Sequence, residues 1–494
     1  MARRRWTHLL TALLALATAA GVLAGCSPDR AGVDVRTPGQ PSATKAAKGY
    51  SAPVADPVYP DQGNPDIDVL RYDLRLDWSP QQRRLTGTAT LKLRAVTKLS
   101  EIRLDLSPAL RVSRTAVDGT PTPAERRPAD GDLVTRLNQP AAPDDELTVA
   151  VEYAGTPKPV SMPSTRSDFS EGLGLRAEPD GDVWTMQEPY GALTWYPVND
   201  HPSDEALYDI AITVPEGWSG VANGEYLGVT TERGESVFRW RSSAPTASYV
   251  TTLAVDKFTR HEATWETVDL TYWTTDEHEG YHLDAMRRSP EILGWLQERF
   301  GDYPFPSAGA VAVNSDSAME TQAMVTMGAN IGKGLAPRQA EQVFTEVLVH
   351  EYAHQWFGNA VSPRDWRGMW LNEGFATYAT MLWLVDHGLV DQDQHLRTLR
   401  ERDATSRAKA GPPGHYDRGM FAESNVYAGP ALMLHEIRGE IGDHDFFGLC
   451  RAWVQRNLHT SQDRGSFTRF VTAYAGQDLT PIIDKWLDSK TTPS

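Results

Sequence analysis

The chain has 494 residues, of which 40% are hydrophobic and 23% charged, and its formal net charge is −17. This length exceeds what one ordinary hydrophobic core supports, so we expect two or more domains. So acidic a composition argues against a nucleic-acid-binding protein, which needs a basic face, and it gives no sign of a polybasic patch for anionic lipid.

The first 26 residues have the layout of an export signal: a basic start, an apolar run from Leu9 to Ala24, and small residues at its end. The run is short for a membrane-spanning helix. The closing sequence LAGC resembles the lipobox of bacterial lipoproteins, which implies that Cys26 is lipidated and becomes the first mature residue. A plain signal peptide or a short membrane anchor would give a similar pattern. The only other cysteine is Cys450, so a lipidated Cys26 leaves no intrachain disulfide.

Residues 27–61 are rich in Pro, Ala, Gly, Ser and Thr and show no sustained apolar period. This composition predicts a disordered spacer. Together with the lipidated cysteine, it predicts an exported protein held at the outer face of the bacterial cytoplasmic membrane. Its only membrane contact would then be the lipid anchor.

Strand patterns dominate residues 62–257. In LRYDLRLDW the residues Leu70, Tyr72, Leu74, Leu76 and Trp78 alternate with polar residues, which is the period of a half-buried strand. Similar segments follow, separated by Pro, Gly and Asp turns. This part of the chain therefore predicts an N-terminal all-β domain.

Residues 258–494 predict a second domain of α+β or mostly helical structure. In SPEILGWLQERFG, Ser289 is a candidate N-cap and Pro290 occupies the first helical position. From about Gln339 onward the pattern is mostly helical. We expect the chemistry of the protein in this domain.

The apolar segment VLVHEYAHQWFG carries two histidines four residues apart. On a helix His350 and His354 lie on the same face and can direct two nitrogens at one ion. Zinc accepts such ligands, and Glu351 can reach a water on the metal and act as its general base. The alternative is a chance occurrence of this pattern in a core helix.

A third ligand comes from WLNEGFATY, where 18 residues separate Glu373 from His354. A helix, a turn and a second helix can return Glu373 to the histidine pair. A carboxylate in so apolar a run is costly unless it is ligated. Two histidines and one glutamate form a known catalytic zinc set, so the sequence predicts one Zn²⁺ per chain.

The sequences HEYAHQWFGN and WLNEGFATY and the interval between them resemble the M1 family of zinc metallopeptidases. This gluzincin group includes aminopeptidase N and leukotriene A4 hydrolase. The segments FGDYPFP and WYPVNDHPSD are also similar to family segments, so the resemblance covers about residues 65–494. It implies an N-terminal β-saddle domain followed by a thermolysin-like catalytic domain. It also implies a zinc aminopeptidase that removes N-terminal residues from peptides by attack of a metal-activated water.

The resemblance extends to a substrate-binding strand. SAMET matches a Gly-x-Met-Glu-Asn strand of the family, which assigns Ala318, Met319 and Glu320 to substrate binding. Glu320 would bind the free α-amine, since a carboxylate facing an ammonium selects N-termini. Ser317 and Thr321 depart from the family pattern. Without the resemblance, Glu320 would be interpreted as an exposed strand glutamate.

Three more positions come from the same resemblance. In WTMQEPYGA, Glu188 matches a family glutamate of the amine pocket, and Gln187 is displaced by one residue from the family glutamine. Tyr427 lies 54 residues beyond Glu373 and matches a tyrosine that donates a hydrogen bond to the oxyanion. A buried core tyrosine is the alternative for Tyr427.

The chain ends 121 residues after Glu373. Larger family members carry a long helical C-terminal domain, so we expect a more open active site and a monomer. Peptides with a free N-terminus are the expected partners. Alternative functions on the same fold are a zinc endopeptidase, an epoxide hydrolase or a non-catalytic surface-anchored binding protein. The last alternative is disfavoured because the whole set is intact: His350, Glu351, His354, Glu373 and Tyr427.

Overall fold

The structure is a computed structural model that describes residues 39–127, 132–166 and 169–494. The described residues belong to one compact unit, Val35–Ser494. The predicted signal segment and Cys26 lie outside the described residues. Within these ranges, none of the helices combines the length and apolarity needed to cross a bilayer.

The N-terminal part of the described chain is folded onto the rest of the protein. After the short helix α1 (Ala43–Ala46), Tyr50 Oη donates a 2.5 Å hydrogen bond to the Glu146 carboxylate. Tyr59 is 1% exposed, and its hydroxyl donates to the Arg418 carbonyl at 3.0 Å. The prediction of a disordered spacer through residue 61 is therefore wrong for this part. We call residues 50–61 the strap.

Residues 67–256 form the predicted β domain. Its main sheet has eight strands in the order β13-β14-β11-β1-β2-β8-β4-β5, with β1 and β11 parallel. A four-stranded sheet (β12-β15-β10-β9) and a three-stranded sheet (β3-β7-β6) complete the domain. The strands are β1 Ile67–Ser79, β2 Arg84–Ala95, β3 Leu99–Leu104, β4 Leu110–Val117, β5 Thr120–Pro121, β6 Ala124–Arg126, β7 Leu133–Ala141, β8 Glu146–Gly155, β9 Gly174–Ala177, β10 Val183–Met186, β11 Glu205–Pro215, β12 Ser219–Ala222, β13 Glu225–Glu232, β14 Glu235–Ala247 and β15 Leu253–Asp256.

The alternation predicted for β1 is confirmed. Tyr72, Leu74, Leu76 and Trp78 are at most 2% exposed, whereas the residues between them are half-buried or exposed. Successive side chains of a strand point to opposite faces, so one face of β1 packs into the core and the other faces outward. The same core cluster continues without interruption into the second domain.

The second domain begins with a five-stranded sheet in the order β16-β17-β18-β20-β19 and continues as a mainly helical assembly. Strands β21 and β22 form a small parallel pair within this helical part. Its elements are β16 Thr259–Trp265, β17 Val268–Thr274, α2 Tyr281–Met286, α3 Ser289–Phe300, β18 Ser307–Val313, β19 Ala318–Met319, β20 Val325–Gly328, α4 Pro337–Ala353, β21 Val361–Pro363, α5 Met369–Asp386, α6 Gln392–Ala410, α7 Ala428–Ile441, α8 Asp443–Asn457, β22 Thr460–Gln462, α9 Arg464–Ala475 and α10 Thr480–Asp488.

Helix α3 shows a small departure from the prediction. Ser289 is its first residue and not its N-cap, and its hydroxyl donates to the Met286 carbonyl and lies 2.8 Å from the Tyr352 hydroxyl. The hydroxyl therefore ties α3 to α4 instead of capping a helix end. Pro290 still occupies the first turn, where its missing N–H costs nothing.

Candidate metal centre and substrate cavity

Helices α4 and α5 bring the three predicted metal ligands together. Nε2 of His350 lies 3.0 Å from Oε2 of Glu373 and 3.1 Å from Nε2 of His354. Nε2 of His354 lies 3.5 Å from the same carboxylate oxygen. The three donor atoms, one from each side chain, all lie within 4.8 Å of one another. The helix spacing thus produces the convergent set that the sequence predicts.

The chain after α4 fixes the orientation of His354. Its Nδ1 lies 3.0 Å from the Phe357 carbonyl, which can only accept, so Nδ1 carries the proton and Nε2 presents its lone pair to the cluster. Gly358 has φ 131° in this turn, and a Cβ there would lie 3.3 Å from Nδ1 of His354 and from the Asn372 amide. Glycine at this position allows the close approach.

The three residues fit a divalent metal ion. His354 and Glu373 are 1% and 5% exposed, so the cluster is largely shielded from water. Two imidazole nitrogens 3.1 Å apart repel each other unless a cation or a proton lies between them. Burial lowers the pKa of His354, but Glu320 and Glu373 outweigh burial and raise it to about 10. A site that attracts positive charge and offers two nitrogens and one oxygen suits Zn²⁺.

A cavity of about 1070 Å³ opens onto this cluster. Of the residues assigned to the site from the sequence, eight line it together: His350, Glu351, His354, Glu373, Tyr427, Glu320, Glu188 and Ala318. They come from both domains, since Glu188 follows strand β10 and the others belong to the second domain.

Glu351 follows the first ligand on α4 and is 6% exposed. Burial raises the pKa of this carboxyl well above its usual range, although His354 opposes the shift. A carboxyl with a raised pKa is a stronger base than an ordinary carboxylate, which suits a general base next to a metal centre.

Tyr427 is the residue immediately before α7. Its ring lies parallel to the His350 ring, with the centroids 6.2 Å apart. Burial raises the pKa of the phenol well above its usual range, and Glu373 adds to this shift. The phenol therefore keeps its proton and acts as a hydrogen-bond donor beside the cluster.

Two more buried carboxylates face the cavity. Glu188 and Glu320 are 3% and 5% exposed, and Oε1 of each accepts no hydrogen bond from the described residues. Burial raises the pKa of Glu188 well above its usual range, and Glu320 raises it further. The Glu320 backbone is held in place by the Asn359 amide, which donates to its carbonyl at 2.6 Å. Buried carboxylates that each keep one oxygen free of hydrogen bonds from the described residues attract a cationic ligand.

Gln187 and Met319 do not reach the cavity, so their assignment to substrate binding is wrong. The Gln187 amide donates to the Ser248 carbonyl at 2.8 Å and accepts from the Trp195 indole at 2.9 Å. Met319 is 1% exposed, and its sulfur accepts the Gln187 N–H at 3.3 Å. Side chains alternate along an extended chain, so Glu188 and Glu320 face the cavity while their neighbours face the core.

Sequence reasoning missed Arg166. Its guanidinium lines the cavity, lies 3.8 Å from the Glu188 carboxylate and stacks over the Phe169 ring at 4.7 Å. It sits in an irregular segment between β8 and β9, where no motif marks it. Only the packing of that segment against the cavity identifies it. Arg166 places a positive charge beside the carboxylates of the site.

The fold and the site define a class of protein: a β domain and a helical domain that enclose a buried His-His-Glu metal-binding cluster. Two family models match the chain, the peptidase M1 N-terminal domain over residues 69–250 and the peptidase family M1 domain over residues 281–486. The chain belongs to peptidase family M1.

Curated relatives carry aminopeptidase names. Aminopeptidase 2, mitochondrial, of Saccharomyces cerevisiae is 29% identical over 61% of this chain and 33% of its own length. Aminopeptidase N of Streptomyces lividans is 25% identical over 65% of this chain and 40% of its own length. Aminopeptidase B of Mus musculus is 26% identical, with coverage of 86% and 69%. The chain thus spans between a third and two fifths of the first two relatives.

Among solved structures, the M1 zinc metallopeptidase of Deinococcus radiodurans is similar over nearly its full length. It superposes with a TM-score of 0.77 at 26% identity, covering 90% of this chain and 98% of the other. A mutant of the same enzyme bound to a Tyr-Ser-Ala substrate gives the same TM-score and identity. The two-domain architecture seen here is therefore shared with that structure.

Proposed function

We propose that the protein is a zinc-dependent aminopeptidase that removes N-terminal residues from peptides. One observation carries the proposal: the buried carboxylates Glu188 and Glu320 share a cavity with the metal-binding cluster and Glu351. Each of these carboxylates has one oxygen that accepts no hydrogen bond from the described residues, which suits the free α-ammonium of a peptide beside a hydrolytic centre. The names of the curated relatives and the tripeptide on the Deinococcus radiodurans mutant support the same activity.

The residues of the site divide the reaction among them. Zn²⁺ held by His350, His354 and Glu373 would polarise the scissile carbonyl and acidify water. Glu188 and Glu320 hold the ammonium and so place the first peptide bond beside Glu351. Glu351 takes a proton from the attacking water and passes it to the leaving amine. The Tyr427 hydroxyl donates a hydrogen bond to the developing oxyanion.

The test is hydrolysis of a panel of aminoacyl-4-nitroanilides by the full chain, with and without a zinc chelator. An N-acetylated substrate is the matched control. We expect chelator-sensitive cleavage of the free-amine substrates and at least about 100-fold slower cleavage of the acetylated one, because hydrogen bonds to charged groups contribute about 1.5–3 kcal/mol each. Equal cleavage of both would favour an endopeptidase. No cleavage by zinc-loaded protein would contradict the proposal, and epoxide substrates would be tried next.

We also propose that the chain is an exported lipoprotein, anchored through Cys26, that works as a monomer. The support is the signal-like layout of residues 1–26 with LAGC at its end. Replacement of Cys26 by Ala should move the protein from the membrane fraction to the soluble fraction. Unchanged membrane association of that variant would contradict lipid anchoring. A dimeric mass in light scattering of the purified protein would contradict the proposal of a monomer.

A further inference from the structure

We propose that Tyr59 of the strap is a positioning residue for the active site. In this inference, which rests on the proposed function, Tyr59 holds the segment that carries Glu188 against the segment that leads to Tyr427. The first segment belongs to the β domain and the second to the helical domain. The strap precedes both matched family regions, which begin at residues 69 and 281.

The Tyr59 ring lies between aromatic side chains from the two segments. Its centroid is 5.4 Å from that of Tyr190, in an edge-to-face arrangement at 77°. It is 5.7 Å from that of Phe421, at 69°. Tyr190 is two residues beyond Glu188, and Phe421 is six residues before Tyr427. Edge-to-face pairs at these distances are the favourable aromatic geometry.

A hydrogen bond adds direction to these ring contacts. The Tyr59 hydroxyl donates to the Arg418 carbonyl at 3.0 Å, and the Arg418 guanidinium lies over the Tyr59 ring at 5.4 Å. Arg418 begins the short 3₁₀ turn Arg418–Met420 ahead of Tyr427. Tyr59 therefore fixes the backbone of this turn as well as packing against its side chains.

Asp56 holds the strap in place through several contacts. One oxygen of this carboxylate accepts the N–H groups of Val58 and Tyr59, each at 2.7 Å, and the other accepts the Trp366 N–H at 2.8 Å. The Nε2 of His201, in the β domain, lies 3.5 Å from Asp56. Burial raises the pKa of Asp56, but the contacts with His201 and the backbone outweigh burial and the net shift is downward. The strap is thus tied to both domains within three residues of Tyr59.

These contacts bear on catalysis because the site draws its groups from two domains. The ammonium-binding Glu188 and the oxyanion-binding Tyr427 act on one substrate, so their relative placement decides whether it reacts. A misplacement of about 1 Å can cost about 100-fold in rate. Through the Tyr59 side chain, the strap contacts the residues that support Glu188 and those that support Tyr427.

The test compares three variants of the full chain. Tyr59→Phe keeps the ring and removes the hydroxyl that bonds Arg418, whereas Tyr59→Leu also removes the ring contacts. The matched control is Tyr50→Phe, which removes a hydroxyl at the other end of the strap that, among the described residues, donates to Glu146. For each variant we would measure kcat, KM, zinc content, and hydrogen exchange of peptides covering residues 188–190 and 418–427.

We expect kcat to fall about 3–10-fold in Tyr59→Phe and about 100-fold in Tyr59→Leu, at full zinc content. Selectivity for free-amine over acetylated substrate should fall with it. Both peptides should exchange faster in the Tyr59 variants and at the wild-type rate in Tyr50→Phe. Lower thermal stability with unchanged kcat, selectivity and exchange in these peptides would overturn the inference. If the wild-type protein cleaves no peptide, the exchange data still decide on positioning, and the failure belongs to the proposed aminopeptidase activity.

Discussion

Four of the carboxylates that line the active-site cavity are deeply buried, and their placement explains its electrostatics. Glu188, Glu320, Glu351 and Glu373 are each at most 6% exposed, and all line the same space. Their mutual repulsion raises the pKa of Glu188 beyond the effect of burial. Arg166 offsets part of this charge. A divalent metal ion and the ammonium of a substrate would neutralise most of the remainder, so the cavity favours binding of both.

Replacing Glu351 by Gln should separate proton transfer from metal binding. Glu351 lies outside the three-residue cluster, so we expect a full equivalent of zinc in the variant. Its kcat should fall at least about 100-fold, because a positioned general base contributes about 10²–10⁴-fold. Metal analysis and steady-state kinetics check both numbers.

Glu341→Gln serves as the control for this experiment, since Glu341 is on the same helix but does not line the cavity. It should keep both zinc and activity. Loss of zinc in the Glu351 variant, in proportion to the lost activity, would contradict the assignment of Glu351 as a base.

At the scale of elements, helices α5 and α7 meet at a glycine beside a metal ligand. A Cβ on Gly374 would lie 2.5 Å from Cβ of Pro430, closer than two non-bonded carbon atoms approach. Gly374→Ala should therefore destabilise the fold by about 1–3 kcal/mol through overpacking. The displaced α7 should also lower kcat, since Tyr427 precedes it directly. Denaturant unfolding and kinetics measure the two effects.

Helix α7 offers a control substitution with the opposite expected effect on stability. Gly439 lies within α7, and a Cβ there would meet no atom within 4 Å. Gly439→Ala should stabilise the protein by up to about 1 kcal/mol, since alanine is the better helix former. If Gly374→Ala were as stable and as active as Gly439→Ala, the close approach of α5 and α7 would not matter.

The sequence predicted the metal centre well because local geometry determines it. Helical spacing sets His350 and His354 on one face, and the same rule applies wherever the helix packs. Prediction from the sequence failed at Gln187 and Met319. The family pattern suggested a role in substrate binding there, but the alternation of an extended chain turns both side chains into the core. Arg166 had no local signal, because its role arises from packing between segments distant in sequence.

The strap was mispredicted for a different reason. Its composition is that of a linker, and composition reports only whether a segment can form its own core. Tyr59 and Asp56 are buried because they pack against a surface that both domains form together. Such a surface exists only in the folded protein, so no period or spacing within residues 50–61 reveals it.

Across the whole molecule, the β domain completes the metal centre of the helical domain. The Tyr249 hydroxyl donates to the Gly358 carbonyl at 3.1 Å, in the turn that orients His354. It also accepts from the Asn372 amide at 3.1 Å, next to the ligand Glu373. One side chain of the β domain therefore supports two of the three ligands. The two domains also share a continuous hydrophobic core and belong to one compact unit.

Buried carboxyls of the β domain should make the stability of the protein depend on pH. Glu205 is 2% exposed, and burial raises its pKa from 4.5 to about 8. Between these values the folded state holds a proton that the unfolded state has released. The free energy of unfolding then falls as pH rises, because its slope follows the protons bound in the unfolded state minus those in the folded state. The contribution is complete below pH 4.5 and is lost by about pH 8.

Glu205→Gln should flatten this dependence, since an amide has no proton to lose. Each unit of pKa difference corresponds to about 1.4 kcal/mol, so between pH 5 and 8 the slope of the variant should be shallower by up to about 1.4 kcal/mol per pH unit. Denaturant unfolding at several pH values measures both slopes. Glu232→Gln, on the exposed surface of β13, should retain the wild-type slope. Equal slopes in all three proteins would mean that Glu205 is ionised in the folded state. A cation or water beside it would then stabilise its charge in the core.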